Sequence, residues 1–388
     1  MNNHPYACAN CFLDEALRRF VADNVIDCRC GYCGRHAETP IAADIGEVTE
    51  LIEESLEFEW TDPANELPWD SGEGGWQLVT PLFTDDLIRN EDTFANEDTP
   101  GYEAIEGDVV GSIGWDRQWV ERDFIALRRH EALILGWSKF SELVIAQQNG
   151  ERIFWPTEDD LEPGEIAPQN ILQEISELAR QVLIDPTLPA GSRFWRARRH
   201  NINDSITTAA DLGSAPTRSA MSNRMSRAGV SMFYGSVERS TAIEEAREAK
   251  PYVTVGRFET AKDFRVIDLT SLPPVPSIYD REKRELRPAI RFLKSFSEAI
   301  KKPVKPGNEN EYLPTQLVTE FFRDEYRTSN GEPVLGILYP SAQGPGSCCV
   351  LFFDNAGCTD LSDHWADAAE SRLGLARDTV TTAPFGSI

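Results

Sequence analysis

Residues 223–247 have the sequence NRMSRAGVSMFYGSVERSTAIEEAR, which combines the signals of a turn, a strand and a helix. Gly229 marks the turn, and the apolar run at residues 232–234 is typical of a short buried strand. Residues 241–250 repeat apolar positions at helical spacing. A strand followed so closely by a helix indicates a mixed α and β domain around this stretch.

Comparable patterns extend on both sides of this stretch. Further strands are predicted at residues 194–197, 252–258, 265–269, 334–339 and 349–353. Further helices are predicted at residues 169–184, 282–301 and 314–327. Runs of strands with a few covering helices predict an α+β fold in which sheets enclose a cleft.

Arginines are concentrated in one of the predicted strands. The segment SRFWRARRH, residues 192–200, holds Arg196 and Arg198 among its four arginines, in a strongly acidic chain. Guanidinium groups bind pyrophosphate through paired hydrogen bonds, which makes this segment a candidate anion site. A strand with a basic outward side explains the same pattern, so the segment alone does not decide between the two.

Three other segments place polar side chains beside predicted strands and helices. Arg224 precedes the glycine turn, and Tyr234 ends the strand that follows it. Glu244 and Glu245 lie in the next helix, and Ser341 follows a buried strand in GILYPSAQG. Strand ends of this kind often carry ligand-binding residues. No one of these segments identifies a chemistry by itself.

Taken together, the order of these residues resembles the RES domain. Arg224 and Tyr234 are followed by TAxxE ending at Glu245, by YLPTQ at residues 312–316 and by YPS ending at Ser341. The resemblance covers roughly residues 185–358, and the family is named for arginine, glutamate and serine. Where many RES domains have Arg-Trp-Asn, this chain has Arg-Met-Ser starting at Arg224, so only the arginine carries over.

The resemblance implies both a fold and an activity. RES domains have an ADP-ribosyltransferase-like fold and consume NAD+ by hydrolysis or phosphorolysis, as the toxin half of toxin–antitoxin pairs. The chain is therefore expected to be an NAD+-consuming bacterial toxin or phage-defence effector, with an antitoxin or another regulatory protein as its partner. Transfer of ADP-ribose to a macromolecule and a catalytically silent adaptor stay open as alternatives.

Residue roles follow from the resemblance and from the needs of the reaction. Breaking the nicotinamide–ribose bond puts positive charge on the ribose, so the site needs pyrophosphate anchors, a ring platform and a carboxylate near the sugar. The catalytic roles are assigned to Arg224 (pyrophosphate), Tyr234 (nicotinamide stacking), Glu245 (ribose) and Ser341 (nicotinamide or ribose). NAD+ binding is further assigned to Arg196, Arg198 and Gln316. Glu244 is the rival of Glu245, because neighbours on a helix point about 100° apart.

Four cysteines near the N-terminus have the spacing of a metal site. Cys8 and Cys11 form one CxxC pair, Cys30 and Cys33 form another, and eighteen residues separate the pairs. This spacing predicts a structural zinc site with four thiolate ligands. Free thiols or a redox pair are the alternatives, and Cys28 is a surplus ligand candidate. The later cysteines, at positions 348, 349 and 358, lack ligand spacing and are predicted to be core residues.

Helical patterns dominate the segment after these cysteines. Residues 45–58 repeat apolar residues three and four apart, and residues 82–148 contain similar stretches. Residues 60–76 and 90–106 are rich in Asp, Glu, Gly and Pro and are predicted as loops. With CANCF at residues 8–12 and CGYCG at residues 30–34, this part is similar to the zinc-bearing HEPN-type domain that precedes RES in some bacterial proteins. We therefore predict a cysteine element at 1–38, a mainly α-helical HEPN-like domain at 39–165 and a RES domain at 166–388.

The arginine and histidine of HEPN ribonucleases lie four to six residues apart on one helix. Here Arg122 is too far from His130, while Arg128 and Arg129 are too close to it. The helical domain is therefore predicted to be a scaffold or a partner surface.

Charge and hydropathy limit the partners further. The formal net charge of −26 argues against binding to nucleic acid or to anionic membranes. No run of eighteen apolar residues occurs, and residues 1–10 lack the basic and apolar regions of a secretory signal, so we expect a cytoplasmic protein. The oligomeric state stays open, a homo-oligomer included.

Overall fold

The structure is a computed structural model, and it divides into two compact units. The residues that it describes are 6–95, 98–246, 249–302, 304, 308–362 and 371–387. The first unit consists of Met1–Leu127 together with Val275–Arg287, and the second consists of Arg128–Pro274 together with Pro288–Ile388. The domain limits drawn from the sequence stay predictions.

The first unit combines helices with short strands. Its helices are α1 (Glu15–Asp23), α2 (Ile45–Glu59), α3 (Thr84–Asn90) and α4 (Tyr102–Ile113). Its strands are β1 (Tyr6–Cys8), β2 (Ala42–Asp44), β3 (Trp60–Thr61), β4 (Trp69–Asp70), β5 (Gly75–Trp76), β6 (Leu82–Phe83) and β7 (Gln118–Glu121). Strand β1 pairs with β2, β7 pairs with both β3 and β6, and β4 pairs with β5, all antiparallel.

Two segments of this unit are more ordered than the sequence predicts. Residues 60–76, expected to be loop, contain β3, β4 and β5, and residues 90–106 include the start of α4. Strands of two residues are too short for an alternating pattern to show in the sequence. The start of α1, by contrast, agrees with its residue types, because aspartate is a preferred N-cap residue. The Asp14 carboxylate accepts hydrogen bonds from the Ala16 and Leu17 amides at 2.8 and 3.0 Å.

Part of the core of the first unit comes from the distant segment Val275–Arg287. Ile278 and Tyr279 are 1% and 2% exposed and belong to the same apolar cluster as Leu17 and Ile52. The Tyr279 hydroxyl lies 2.5 Å from Thr93 Oγ1. The segment is therefore an integral part of the first unit.

The second unit is built on one large sheet. Its helices are α5 (Arg129–Gln148), α6 (Ile171–Val182), α7 (Ala209–Leu212), α8 (Arg239–Glu245), α9 (Arg287–Lys301) and α10 (Leu313–Asp324). Its strands are β8 (Thr187–Leu188), β9 (Arg193–His200), β10 (Phe233–Ser236), β11 (Tyr252–Thr260), β12 (Phe264–Asp268), β13 (Val334–Pro340), β14 (Ser347–Leu351), β15 (Cys358–Asp360) and β16 (Leu373–Pro384). Among the described residues, nine strands pair in the order β15-β16-β11-β9-β10-β14-β13-β12-β8.

The sheet is mostly antiparallel and has a narrow join in its middle. Only β12–β13 and β15–β16 run parallel among the strand pairs described. Strands β9 and β10 are joined by a single register pair, Ser236 with Trp195, whereas β9 and β11 pair over eight residues. The join therefore separates a four-stranded part, β15 to β9, from a five-stranded part, β10 to β8.

The six strands predicted in this half are present, with ends shifted by up to three residues. Strands β8, β15 and β16 were missed. Strand β16 was not predicted because only its first four residues are buried, and the other residues show no alternation of apolar and polar side chains. The helix predicted at residues 241–250 ends at Glu245, and residues 247–248 lie outside the described residues. No helix in the described part of the chain is both long enough and apolar enough to cross a bilayer.

Candidate functional site

The four predicted metal ligands lie together in the first unit. The sulfur of Cys8 is 3.9 Å from that of Cys11 and 3.5 Å from that of Cys33, and the sulfurs of Cys11 and Cys30 are 3.6 Å apart. Four thiolates around one zinc ion, each at about 2.3 Å, have sulfurs about 3.8 Å apart. The Cys8 amide also donates to the Cys30 sulfur at 3.4 Å, as backbone amides do in such sites. The four cysteines can therefore hold a metal ion.

Cys28, the surplus candidate, is not part of this cluster. It is exposed, and its thiol lies 3.8 Å from the Glu38 carbonyl oxygen. The predicted four-cysteine set is thus sufficient without it.

In the second unit, strand alternation defines two faces of the sheet around β10. Phe233 packs in the apolar cluster with Cys349 and Leu351, so Tyr234 and Ser236 point to the opposite face. We call this opposite face the site face. The register places Cys348 opposite Ser236, and Tyr339 opposite Cys348, so these side chains share the site face.

Glu245 and Ser341 meet at this face. Helix α8 ends at Glu245, whose Oε1 accepts a hydrogen bond from Ser341 Oγ at 2.7 Å. The Ala342 amide donates to the same oxygen at 3.3 Å, and the Cys348 thiol at 3.8 Å. Glu244 is exposed, as expected for the neighbouring position on the helix. Of the two candidate carboxylates, Glu245 is therefore the one beside Ser341.

Ser341 itself is buried, at 5% exposure, in the turn after β13. Its amide donates to the Gly346 carbonyl at 2.8 Å, and its hydroxyl accepts from the Gln343 amide at 3.0 Å. The hydroxyl is thus held from one side by backbone and directed at the Glu245 carboxylate.

Arg224 contributes positive charge to the site. Its Nε is buried and has no hydrogen-bond partner among the described residues. Burial raises the pKa of Cys348 to about 11, an effect that the Glu245 charge reinforces and the Arg224 charge opposes. Burial also raises the pKa of Tyr339 well above its ordinary value, again against the Arg224 charge. The guanidinium therefore acts on the same buried groups as the Glu245 carboxylate.

Tyr234 contacts the loop that carries Arg224. Its hydroxyl is 2.8 Å from Ser226 Oγ, and the ring is half-buried. Burial raises the pKa of Tyr234 to about 12, so the phenol is neutral at ordinary pH. The structure thus brings Arg224, Tyr234, Glu245 and Ser341 to one face of the sheet from four separate segments.

Comparison with known families identifies both halves of the chain. Residues 193–370 match the model of the RES domain, and residues 23–149 match the model of HEPN/RES N-terminal domain 1. The chain therefore combines a HEPN/RES N-terminal domain with a RES domain. Neither a curated protein nor a solved structure matches the chain. The resemblance drawn from the sequence is confirmed, and Arg224, Tyr234, Glu245 and Ser341 all fall within the RES match.

Two predicted NAD+-binding residues of the RES domain lie away from the site face. Arg196 is two residues from the core residue Phe194 on β9, and its guanidinium sits 5.4 Å from the Phe233 ring centre. It donates to the Leu212 carbonyl at 2.6 Å and to the Tyr234 carbonyl, and burial lowers its pKa. Arg198 donates to the Asp211 carbonyl at 2.8 Å. Both arginines satisfy backbone carbonyls on the opposite face, so their NAD+ contacts stay predictions without support from this geometry.

Gln316, the third predicted binding residue, is buried on α10 of the RES domain. It is 4% exposed, and its side-chain nitrogen donates to Ser222 Oγ, the Asn223 carbonyl and the Ser226 carbonyl. These contacts hold the loop that carries Arg224. Its predicted contact with NAD+ stays a prediction, and the described contacts of its side-chain nitrogen are to this loop.

Two residues that contact the site, Cys348 and Ser226, were not predicted from the sequence. Cys348 was predicted to be core, and it is buried, but it faces Glu245. The signal was available in SCCVL, because the burial of Cys349 in the core directs Cys348 to the other face. Ser226 stands where many RES domains have asparagine, and its hydroxyl contacts the Tyr234 phenol.

Proposed function

We propose that the RES domain cleaves the bond between nicotinamide and ribose in NAD+ and passes the ADP-ribosyl group to water or phosphate. The observation that supports this most directly is the Glu245–Ser341 contact of 2.7 Å on the face that also carries Tyr234 and the buried Arg224. The match to the RES family supports the same substrate.

In the proposed reaction the bond between ribose C1′ and the nicotinamide nitrogen breaks, and its electron pair leaves with neutral nicotinamide. Positive charge develops on the ribose, and the Glu245 carboxylate stabilises it. Water then attacks C1′ and loses a proton, giving ADP-ribose, nicotinamide and a proton. With phosphate as the nucleophile the product is ADP-ribose 1-phosphate.

The other residues bind and orient the substrate. Arg224 provides a charged anchor for the pyrophosphate, and its unpartnered Nε is a donor that an anion would satisfy. The neutral Tyr234 ring offers a surface for nicotinamide. Ser341 holds the Glu245 carboxylate, and this contact limits its freedom to bind substrate in addition.

Three finer features belong to the same proposal. The sheet of the second unit, joined through one residue pair at β9–β10, is consistent with an ADP-ribosyltransferase-like fold. Zinc is the proposed metal of the four-cysteine cluster because the spacing and the sulfur distances suit a tetrahedral thiolate site. Depletion of NAD+ in the cytoplasm is the proposed route to toxicity, in a toxin–antitoxin pair or in phage defence.

The test is incubation of the purified protein with NAD+, with and without phosphate, followed by chromatography of nicotinamide and the ADP-ribose product. Glu245→Gln should reduce nicotinamide release on the order of 100- to 1000-fold. Glu244→Gln, a matched change at the exposed neighbour, should leave it intact. If the wild-type protein releases no nicotinamide, or if Glu245→Gln keeps full turnover, the proposal is wrong.

A further inference from the structure

The N-terminal part of α10 contacts the loop that carries Arg224. Thr315 Oγ1 lies 2.5 Å from the Arg224 carbonyl oxygen, and Thr319 Oγ1 lies 3.2 Å from the Met225 sulfur. Gln316 Nε2 lies 2.7 Å from the Asn223 carbonyl oxygen and 3.3 Å from that of Ser226. Three side chains between residues 315 and 319 of this helix therefore contact the loop at positions 223 to 226.

The orientation of the Gln316 amide follows from these partners. Carbonyl oxygens only accept hydrogen bonds, so the group that contacts two of them must be the amide NH2. Its two hydrogens face three acceptors, the third being Ser222 Oγ at 3.0 Å. Since the side chain is 4% exposed, this nitrogen has no capacity left for a ligand.

The same loop also supports Tyr234. The Ser226 backbone carbonyl oxygen accepts a hydrogen bond from Gln316, and the Ser226 hydroxyl lies 2.8 Å from the Tyr234 phenol. The loop residues Asn223 and Ser226 are further joined by two backbone hydrogen bonds of 2.8 and 3.3 Å. A shift of the loop would therefore move the Arg224 guanidinium and release the Tyr234 hydroxyl together.

We propose that Gln316 is a positioning residue that fixes Arg224, and through Ser226 also Tyr234, for NAD+, and that it does not bind NAD+ itself. The inference rests on the proposed function for its kinetic consequence. The structural claim, that Gln316 fixes residues 222–226, depends only on the described hydrogen bonds. Misplacement of a binding group by about 1 Å can cost on the order of 100-fold in rate, so loosening this loop should be visible in the kinetics.

The test variant is Gln316→Met, which keeps the length of the side chain and removes its hydrogen-bonding groups. The matched control is Glu320→Gln on the same helix, where the carboxylate pairs with the exposed Arg227 of the same loop at 2.6 and 2.9 Å. Gln316→Met should lower kcat/KM for NAD+ roughly 10- to 100-fold, mainly through KM, whereas the control should change it less than about threefold.

A double-mutant cycle separates positioning from direct binding. If Gln316 acts mainly through Arg224, then Gln316→Met should have a clearly smaller effect in an Arg224→Ala background, limited to the part transmitted through Ser226 to Tyr234. Two full, additive losses would mean that Gln316 contacts NAD+ independently, and would overturn the proposal. So would an unchanged KM in the single variant.

Hydrogen exchange of the amides of Asn223 and Ser226 provides a readout that needs no activity. Their exchange should be faster in Gln316→Met than in wild type and unchanged in Glu320→Gln. If wild type fails to consume NAD+, the proposed function is wrong, and this exchange alone decides on the loop contact. If these amides exchange at the wild-type rate in Gln316→Met, the proposed role of Gln316 in holding the loop is wrong. Should Gln316→Met not fold, Thr315→Val, which removes the contact to the Arg224 carbonyl, is measured in the same way.

Discussion

Removal of the Ser341 hydroxyl should impair catalysis while the protein stays folded. In Ser341→Ala the Glu245 carboxylate loses its shortest described hydrogen bond, of 2.7 Å, and keeps the Ala342 amide at 3.3 Å and the Cys348 thiol at 3.8 Å. A hydrogen bond to a charged group contributes about 1.5–3 kcal/mol. If this free energy is lost from the stabilisation of the transition state, kcat/KM falls roughly 10- to 150-fold.

The free energy of unfolding should fall by about 1.5–3 kcal/mol through the lost bond to Glu245, while alanine fills nearly the same volume and the backbone contacts of the turn remain. The loss of the acceptor for the Gln343 amide should cost about 1 kcal/mol. Nicotinamide release measured over a range of NAD+ concentrations gives kcat/KM, and urea unfolding gives the stability. The two measurements separate a catalytic effect from a folding defect.

Ser236→Ala is the matched control, since it removes a buried hydroxyl from the same face. Ser236 Oγ lies 3.5 Å from the Cys348 sulfur, and no described hydrogen bond joins it to Glu245. We expect this variant to keep at least about a third of wild-type kcat/KM. Near-normal activity in Ser341→Ala, or an equal loss in Ser236→Ala, would refute the reasoning.

Three further outcomes are expected. Cys11→Ser should lose the bound metal, measured by elemental analysis, and unfold at lower temperature, while Cys28→Ser at the exposed cysteine should keep both properties. Burial raises the pKa of Cys348 from 9.0 to about 11, so between these pH values the folded thiol keeps its proton while the unfolded one loses it. The contribution of this group to the free energy of unfolding is therefore full below about pH 9 and is lost as the pH rises to about 11. Cys348→Ala should flatten that fall in urea unfolding measured at each pH, and an unchanged slope would contradict it. Tyr279→Phe, which removes the hydroxyl 2.5 Å from Thr93 Oγ1, should lower the free energy of unfolding by about 1–3 kcal/mol.

The positions of several candidate site residues in strands and helices were predictable, because local sequence patterns are clear there. Tyr234 ends a short apolar strand, Glu245 lies in the helix directly after it, and Ser341 follows a buried strand. The choice between Glu244 and Glu245 was not predictable, because a helix of seven residues has too little amphipathic pattern to fix its buried face. The structure decides the geometry through the contact of Glu245 with Ser341.

The contacts of Arg196 and Arg198 could not be predicted from the sequence. Arg196 and Arg198 resemble an anion-binding pair in sequence, yet their guanidinium groups bond to the carbonyls of Leu212 and Asp211 at the end of α7. Such contacts depend on which helix packs against β9, a long-range feature that no local pattern contains. Gln316 was selected for its motif, and only its three acceptors show that it supports a loop.

Each family match covers one unbroken stretch of the sequence, whereas each compact unit consists of two separate segments. Val275–Arg287 falls within the RES match at residues 193–370 and belongs to the first unit, which otherwise consists of Met1–Leu127. Burial of side chains the size of Ile278 and Tyr279 contributes about 1.5–3 kcal/mol each, so a RES fragment cut from the chain would expose both at that cost. The N-terminal domain therefore completes the folding of a segment that the RES sequence supplies. Assays of the proposed NAD+ chemistry accordingly require the full chain.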